Sequence, residues 1–290
     1  MNGILCIDKP AGMTSRDVVN KVSKYLHTKK IGHTGTLDPL ATGVLVLCIG
    51  NCSKLAELIT ATKKTYIAEV MLGMETDTLD NTGTILKEET VNLKKEQIES
   101  VLTSFLGTYN QQVPAYSAVK KNGKKLYEYA RKGIAVDLPS RPVTTEQIEL
   151  VTGPISENSK TKFTFKATVS KGTYIRSLIR DIANQLGTVG VMTNLRRVVQ
   201  GEFTLNDCYQ LEEVENNNYI LTSKEEVFKD FTKIKMDELL EVKVRNGALL
   251  ENEYGNEPVL FTDSKDQIIA IYKLYEKDNN YIKPWKTFFS

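Results

Sequence analysis

The stretch HTGTLDPLATG, residues 33–43, sets one aspartate before a proline and between two glycines. Pro39 disfavours helical backbone at Asp38 and pushes it towards an extended conformation, while Gly35 and Gly43 permit tight turns on either side. The next residues, VLVLCIG, are apolar throughout, which is typical of a strand buried on both faces. The pattern therefore predicts a stiff loop that projects one carboxylate beside a buried strand. On spacing alone, such a loop is either a plain turn or a rigid support for a reacting group.

The composition argues against several classes of protein. The 290 residues carry a net charge of +2 and are 41% hydrophobic, which is enough for one large domain and a small one. Four cysteines without a C-x-x-C pair and only two histidines favour neither a zinc site nor a disulfide framework. The first residues lack the basic region of a signal peptide, and no apolar run is long enough to cross a bilayer. We therefore expect a protein of the reducing cytoplasm with no membrane partner.

Strands and helices follow one another irregularly along the chain. TYIAEVMLG (65–73) and KFTFKATVS (162–170) alternate apolar and polar residues, as strands with one buried face do. YIRSLIRDIANQLG (174–187) carries its apolar residues on one helical stripe and ends at a glycine. Because no regular strand–helix–strand repeat is present, we predict an α+β fold, with helices flanking a mixed, mostly antiparallel central sheet.

A polar stretch after Asp207 separates a compact tail from the rest of the chain. From about Lys233, the tail has a short helical segment, an Asn-Gly turn at 246–247 and two apolar runs, PVLF and QIIAIYKLY. Apolar runs separated by polar turns are typical of short strands. We therefore expect a main domain over residues 1–232 and a small, β-rich domain over residues 233–290.

Six motifs occur in one order along the chain. They are IDKP at 7–10, GHTGTLDPLATGVL at 32–45, KTYIAEVMLGMETDTLDNTG at 64–83, VPAYSAVKKNGKKLYEYARKG at 113–133, SKGTYIRSLIRDI at 170–182 and NLRR at 194–197. With these motifs the chain closely resembles the bacterial tRNA pseudouridine synthase B family over most of its length. The resemblance implies the pseudouridine synthase fold for residues 1–232, with an RNA-gripping insertion at about 109–142. The tail resembles a PUA-like RNA-binding module, by layout more than by motif.

The resemblance implies the isomerisation of uridine to pseudouridine, at the uridine conventionally called position 55 in the T loop of tRNA. The N1–C1′ bond breaks, the base rotates, and the base is rejoined to the sugar through C5. Because no electron or group is supplied from outside, neither a cofactor nor a metal is implied. The family's catalytic aspartate falls on Asp38, which could add to C6 of the uracil or assist departure of the base at C1′. The sequence leaves both routes open.

The resemblance also implies which residues meet the substrate. His33 would contact the displaced RNA loop, and Leu195 would form a wall of the pocket. Tyr66, which also belongs to the implied catalytic group, and Tyr174 would flank the target base, since aromatic faces hold an extruded base by stacking.

Charged residues would support the reacting aspartate. Arg176, the third member of the implied catalytic group, would pair with Asp38, since a nearby cation favours a charged carboxylate. Asp80 would hold Arg176 from the other side. Lys9 would support the floor of the site without taking part in the chemistry.

Residues 116–132 form a basic segment with a net charge of +5. Cations in such a run usually face solvent, but this run lies in the family's RNA-gripping insertion, where it would neutralise phosphates. RNA binding would offset the roughly few kcal/mol needed to extrude the target base. The predicted RNA contacts are Lys120, Lys121, Lys124, Lys125, Arg131 and Lys132, extended towards the site by Arg196 and Arg197.

Other functions remain open at this point. Asp38, Asp77 and Asp80 could hold Mg²⁺ in a metal-dependent RNA nuclease, since clustered carboxylates bind that ion. A non-catalytic RNA-binding protein would use the same basic segment, and a synthase of the same fold could act on a different RNA. We expect the T arm of tRNA as the partner, no required protein partner, and a monomer.

Overall fold

A computed structural model describes residues 1–288 of the chain. Its helices are α1 Ser15–Tyr25, α2 Ala56–Ala61, α3 Lys95–Ser104, α4 Leu126–Ala130, α5 Ile175–Gln185, α6 Leu211–Glu215, α7 Lys224–Val227 and α8 Glu238–Arg245, with short 3-10 helices at Gly50–Leu55 and Leu205–Asp207. Its strands are β1 Gly3–Lys9, β2 Ile31–His33, β3 Thr42–Ile49, β4 Lys64–Leu72, β5 Met74–Thr76, β6 Ile85–Glu88, β7 Gly107–Gln112, β8 Lys120–Lys121, β9 Lys124–Lys125, β10 Ser140–Glu157, β11 Lys160–Val169, β12 Gly190–Gln200, β13 Phe203–Thr204, β14 Cys208–Tyr209, β15 Lys233–Lys235, β16 Leu250–Glu251, β17 Val259–Thr262, β18 Ile268–Leu274 and β19 Tyr281–Thr287. None of the helices in this described part combines the length and apolar character that a bilayer crossing requires.

A ten-stranded sheet forms the centre of the molecule. Its order is β14-β1-β3-β12-β4-β11-β10-β7, with β2 added beside β3 and β13 beside β12. The pairs β1–β14 and β3–β12 are parallel, and β4 is antiparallel to both of its neighbours, β12 and β11. The predicted mixed, mostly antiparallel sheet is therefore confirmed.

Helix α5 packs on this sheet through the apolar stripe that the sequence predicted. Leu178, Ile179 and Ile182 are fully buried and share a core with Phe163 and Phe165 of β11. Strand β11 itself alternates between buried and partly exposed residues, as the sequence pattern indicated. Ile175, in the first turn of α5, belongs to the same core as Tyr66 of β4 and Leu195 of β12.

Strand β3 is buried on both faces, as its uninterrupted apolar run predicted. Leu45 and Leu47 pack towards α1, whereas Val44 and Val46 belong to a second core on the opposite face. Because successive side chains of a strand point to opposite faces, one short run supplies both cores. The Asp38 loop (residues 34–41) therefore leads into a strand that is buried at every residue from Gly43 to Ile49.

The tail forms a five-stranded sheet in the order β15-β17-β18-β19-β16, with α8 beside it. Leu260, Ile268 and Ile271 of this sheet share a core with Ile4 and Val46 of the central sheet. The predicted β-rich C-terminal part is confirmed, and it packs on the face of β1 and β3 that lies opposite α1.

Between β7 and β10 the chain leaves the central sheet. The two-residue strands β8 and β9 pair as a small antiparallel hairpin, and α4 follows directly. Since β7 ends at Gln112 and β10 begins at Ser140, the excursion covers residues 113–139. The basic segment lies wholly within it.

Candidate active site

The backbone of the Asp38 loop is held by side chains from two other segments. Ser15, the first residue of α1, donates from its hydroxyl to the carbonyl of Leu37 (3.1 Å) and accepts from the N–H of Leu37 (2.8 Å). The Lys9 ammonium is fully buried and donates to the carbonyls of Ala41 (2.7 Å) and Pro39 (3.3 Å). The predicted support by Lys9 is therefore present, because its contacts fix the backbone that carries the aspartate.

Arg197 also binds the backbone of the Asp38 loop. It is a buried residue and does not lie on the protein surface. Its side chain is 1% exposed, and it donates to the carbonyls of Val44 (2.7 Å), Gly35 (3.1 Å) and Thr36 (3.4 Å). A side chain at Gly43, where φ is +99°, would meet the Arg197 carbonyl at 2.1 Å, so only glycine fits there. The prediction that Arg197 contacts RNA is wrong, because its guanidinium is enclosed by backbone carbonyls.

Arg196, the neighbouring residue in β12, points the other way and is half-exposed. Its guanidinium makes two hydrogen bonds to the carboxylate of Asp8, at 2.8 and 3.1 Å. That pairing compensates most of its charge. An RNA contact by Arg196 stays a prediction.

The predicted pair of Asp38 and Arg176 is present and bidentate. Arg176 donates from Nε to one carboxylate oxygen of Asp38 (2.8 Å) and from Nη2 to the other (3.2 Å). Its remaining contacts are the carbonyls of Thr78 (2.9 Å) and Tyr116 (3.0 Å). The Arg176 side chain is 5% exposed and that of Asp38 is 38% exposed. A buried guanidinium therefore fixes both oxygens of a carboxylate that is itself accessible to solvent.

Asp80 supports this arrangement indirectly. Its Oδ1 accepts from the hydroxyl of Thr78 (2.7 Å), and from both the N–H (3.0 Å) and the hydroxyl (2.6 Å) of Thr82. These contacts fix the turn that presents the Thr78 carbonyl to Arg176. The predicted direct contact between Asp80 and Arg176 is wrong, because a backbone carbonyl takes that place. No side-chain pattern in the sequence could have indicated it.

A cleft of about 180 Å³ opens beside the carboxylate of Asp38. Tyr66 from β4, Leu195 from β12 and Tyr174 from the start of α5 line it together with Asp38. Tyr66 and Leu195 are buried and form part of the core beneath the cleft, whereas Tyr174 is only partly buried. The structure thus brings these four predicted site residues to one concave surface, which the almost fully buried Arg197 also lines.

Tyr174 is positioned by Gln111, a residue that the sequence reasoning missed. The Gln111 side chain accepts from the N–H of Tyr174 (2.8 Å) and donates to its carbonyl (3.2 Å). It also donates to the hydroxyl of Tyr109 (2.8 Å). Since these contacts go to backbone and to a residue of its own strand, only the three-dimensional arrangement shows them.

His33 lies in β2 and does not line the cleft. Its Nδ1 is buried without a hydrogen-bond partner among residues 1–288. Burial, together with the nearby charges of Arg16 and Arg197, lowers the pKa of His33, which favours the neutral ring. Its contact with a bound RNA loop stays a prediction.

Two buried lysines close to the cleft have strongly lowered pKa values. Burial lowers the pKa of Lys9 from 10.5 to about 8, an effect that Asp38 opposes and Arg197 increases. Burial and the cations Arg197 and Lys171 lower the pKa of Lys64 to about 8. Cationic side chains are therefore concentrated around the cleft, although the burial of each charge costs free energy.

The three aspartates considered for a metal site do not converge. Asp38 is paired with Arg176, while Asp77 accepts from the hydroxyl of Tyr116 (3.0 Å) and from the N–H of Thr84 (2.8 Å). Among residues 1–288 no group of three acidic, histidine or cysteine side chains could hold a metal ion. The donors present do not fit the nuclease hypothesis.

The basic segment presents most of its cations to solvent. Lys120, Lys124, Arg131 and Lys132 are exposed. Lys121 instead pairs with the exposed Asp137 (3.5 Å). Lys125 and Arg131 lie over the ring of Tyr127, with 5.5 and 5.2 Å to its centroid. Their predicted contacts with RNA stay predictions.

Comparison with protein families matches two models to the chain. The description "TruB family pseudouridylate synthase (N terminal domain)" covers residues 23–175, and "tRNA pseudouridylate synthase B C-terminal domain" covers residues 176–242. The tRNA pseudouridine synthase B of Bacillus cytotoxicus is 42% identical, with 99% of this chain and 97% of that protein aligned. The Bacillus cereus protein of that name is 40% identical over the same shares.

Solved structures with the same fold include two ribonucleoprotein components. The H/ACA RNP bound to a substrate RNA containing 2′-deoxyuridine has a chain with a TM-score of 0.72, at 22% identity over 99% of this chain and 85% of that one. A Cbf5-Nop10-Gar1 complex gives 0.73 at 23% identity, with the same shares covered. These likenesses establish the fold, and the sequence matches establish more: the chain belongs to the TruB family of pseudouridylate synthases.

Proposed function

We propose that this chain converts uridine into pseudouridine in tRNA, at the position conventionally called 55 in the T loop, with Asp38 as the nucleophile. The observation that carries the proposal is the Asp38 carboxylate, which two hydrogen bonds from Arg176 fix while it stays 38% exposed beside the cleft. The Bacillus relatives, named tRNA pseudouridine synthase B, support the reaction and the class of RNA.

The reaction requires a carboxylate that is fixed in direction. It does not require another molecule to supply an electron or a chemical group. The N1–C1′ bond breaks and a C5–C1′ bond forms, while C5 loses a proton and N1 gains one. Whether Asp38 adds to C6 or acts at C1′, the oxygen must meet one defined atom of the nucleotide. The two-point clamp by Arg176 meets this requirement, since a planar fork fixes both oxygens of a carboxylate.

The walls of the cleft suit a flat base. Tyr174 would stack on the extruded uracil, while Tyr66 and Leu195 close the cleft beneath it. Extruding the base costs roughly a few kcal/mol, and phosphate contacts by the basic segment offset this. We therefore propose that the cleft catalyses the reaction and that residues 116–132 bind the RNA backbone.

The division into domains forms part of the same proposal. Residues 1–232 carry the reaction, and residues 233–290 act as a PUA-like module that holds another part of the tRNA. All the residues proposed for the reaction lie on one chain, which supports a monomer acting on the T arm without a protein partner. The cytoplasm, where tRNA is processed, is the proposed location.

An RNA hairpin with the sequence of an unmodified T arm tests the proposal. Incubation with the protein, followed by nucleoside analysis, should convert one uridine per hairpin into pseudouridine. Asp38→Asn keeps the size of the side chain but removes the nucleophile, so it should give no product and bind the hairpin with nearly unchanged affinity. Turnover by Asp38→Asn near the wild-type rate would overturn the assignment.

Two further arms separate the alternative functions. A nuclease would shorten the hairpin and stop in excess chelator, whereas the isomerase leaves its length unchanged and works without a divalent ion. A binding protein without catalysis would retain the hairpin and give no pseudouridine at any enzyme concentration.

A further inference from the structure

Four cations line the cleft that holds Asp38: Lys64, Arg141, Lys171 and Arg197. Within residues 1–288 none of the four forms an ion pair, and Asp38 itself is already paired with Arg176. Cations gathered without matching carboxylates leave a local excess of positive charge, which attracts an anion. The cleft is therefore prepared for a negatively charged group besides the neutral base.

Two of the four cations are committed to the protein backbone. Arg197 donates to three carbonyls around the Asp38 loop, and Lys64 is buried and donates to the carbonyls of Thr60 (2.8 Å) and Thr62 (2.6 Å). Their hydrogen bonds hold segments in place, although their charges still contribute to the potential of the cleft. An incoming anion must find its hydrogen bonds on the other two.

Arg141 lines the cleft, and two contacts fix the orientation of its guanidinium. Its guanidinium lies over the ring of Tyr174, 4.9 Å from the centroid, and donates from Nη2 to the carbonyl of Gly172. Gly172 has φ of +86°, and a Cβ there would come within 3.2 Å of the guanidinium carbon, so the glycine permits this approach. The Nε of Arg141 is buried without a hydrogen-bond partner in the described part of the chain. The guanidinium is thus oriented by Tyr174 and Gly172, and its Nη1, which makes no hydrogen bond within residues 1–288, is left to bind an anion.

Lys171 stands beside Arg141 on the same turn. It is exposed and directly precedes Gly172. Its charge also lowers the pKa of Glu57, but the hydrogen bond of that carboxylate goes to Lys286 (2.5 Å). The Lys171 ammonium is thus an unshared charge next to an oriented guanidinium.

We propose that Arg141 and Lys171 form a subsite for the RNA backbone phosphate that adjoins the nucleotide entering the cleft. A guanidinium fork supplies two parallel donors to phosphate oxygens, and a neighbouring ammonium adds charge without a fixed direction. The subsite rests on the proposed function, and it specifies the substrate: a uridine inside a polynucleotide, held by its own backbone. Because Arg141 also stacks on Tyr174, phosphate and base would be seated by one connected pair of side chains.

Hairpins in which one phosphate near the target uridine is replaced by a neutral methylphosphonate test the subsite. In the wild-type protein, one such linkage should weaken binding about tenfold, the loss expected for a charge-assisted hydrogen bond. In the double variant Arg141→Gln/Lys171→Gln, the same linkage should change the dissociation constant less than about twofold, since both partners are gone, and each single variant should be less sensitive to it than wild type. Lys95→Gln, a surface variant on α3, is the matched control and should keep the full tenfold effect.

The outcomes separate this inference from the proposed function. If both glutamine variants remain as sensitive as wild type to every neutral linkage, the subsite is wrong while the isomerase can still be correct. If wild type fails to make pseudouridine in the unmodified hairpin, the proposed function itself fails and the subsite falls with it. Lys171 lies on an exposed turn, so its variant decides the matter even if Arg141→Gln does not fold.

Discussion

The Asp38 loop and the basic segment both depend on lysine and arginine, but they use these residues in opposite ways. Around the loop, the cations of Lys9 and Arg197 are buried and donate to backbone carbonyls. In the basic segment, Lys120, Lys124 and Lys132 are exposed. The same residue types thus build a rigid support in one region and an electrostatic surface in the other.

The comparison teaches that net charge along a sequence does not indicate what a cation does. A buried cation stabilises the fold only while each of its hydrogen bonds is made, so it acts with short range and fixed geometry. An exposed cation acts through its field, which falls with ionic strength and tolerates movement. Substitutions in the two regions should therefore separate effects on structure and rate from effects on affinity.

The largest effect is expected from Arg176→Lys. The lysine keeps the charge but loses the planar fork that holds both oxygens of Asp38. We expect the single-turnover rate at saturating enzyme to fall at least about 100-fold, while the dissociation constant of the hairpin changes little. If affinity collapses while the saturated rate is retained, Arg176 contacts phosphate and does not position the aspartate.

Arg197→Met should unfold the protein more easily. Its removal takes the side-chain donor from the buried Val44 carbonyl and from the less buried carbonyls of Gly35 and Thr36, at a cost of about 3 kcal/mol. Urea denaturation of wild type and variant measures the loss. Lys124→Met, an exposed position, is the matched control and should change the free energy of unfolding by less than about 0.5 kcal/mol. Equal losses in both variants would remove the distinction between the two regions.

The buried state of Lys9 should show in the pH dependence of stability. Its pKa is about 8 in the folded protein against an ordinary 10.5, so between these values the unfolded chain binds more protons. The unfavourable burial of its charge is fully present below about pH 8 and is relieved as pH rises towards about 10.5. Relative to Lys9→Met, the free energy of unfolding of wild type should therefore rise between about pH 8 and pH 10. A difference that stays constant over that range would contradict the lowered pKa.

The smallest effect on stability is expected from the basic segment. Changing its exposed residues Lys120, Lys124 and Lys132 together to alanine should leave the melting temperature nearly unchanged. The slope of log affinity against log salt should shrink by roughly 0.7–0.9 for each phosphate that the variant no longer neutralises. An unaltered slope would mean that these cations face solvent only.

The sequence predicted the parts of the site that side chains mark. The sheet type, the loop before β3, and the convergence of Asp38 and Arg176 are all present in the structure. Arg196 and Arg197 show where such reasoning fell short. Neighbouring residues of a strand point to opposite faces, so the two arginines could not share one surface, and the apolar pattern around them does not mark β12 as a strand.

What the sequence could not supply is the set of contacts made by main-chain atoms. Arg176 is held by the carbonyls of Thr78 and Tyr116, and Gln111 holds the backbone of Tyr174. Because every residue has a backbone carbonyl, residue types do not indicate which carbonyls Arg176 binds. Asp80 was misplaced for this reason, since its contribution passes through the turn that it stabilises.

The carbonyl of Tyr116 on Arg176 has a mechanical consequence. One guanidinium joins three stretches of chain that are far apart in sequence: the Asp38 loop, the turn at Thr78, and the first residue of the basic segment. Its position is fixed only while all three stretches hold it. If the segment binds RNA as proposed, displacement of the segment would move Arg176 and with it the carboxylate of Asp38, so that binding and reaction rate would be linked through a single side chain.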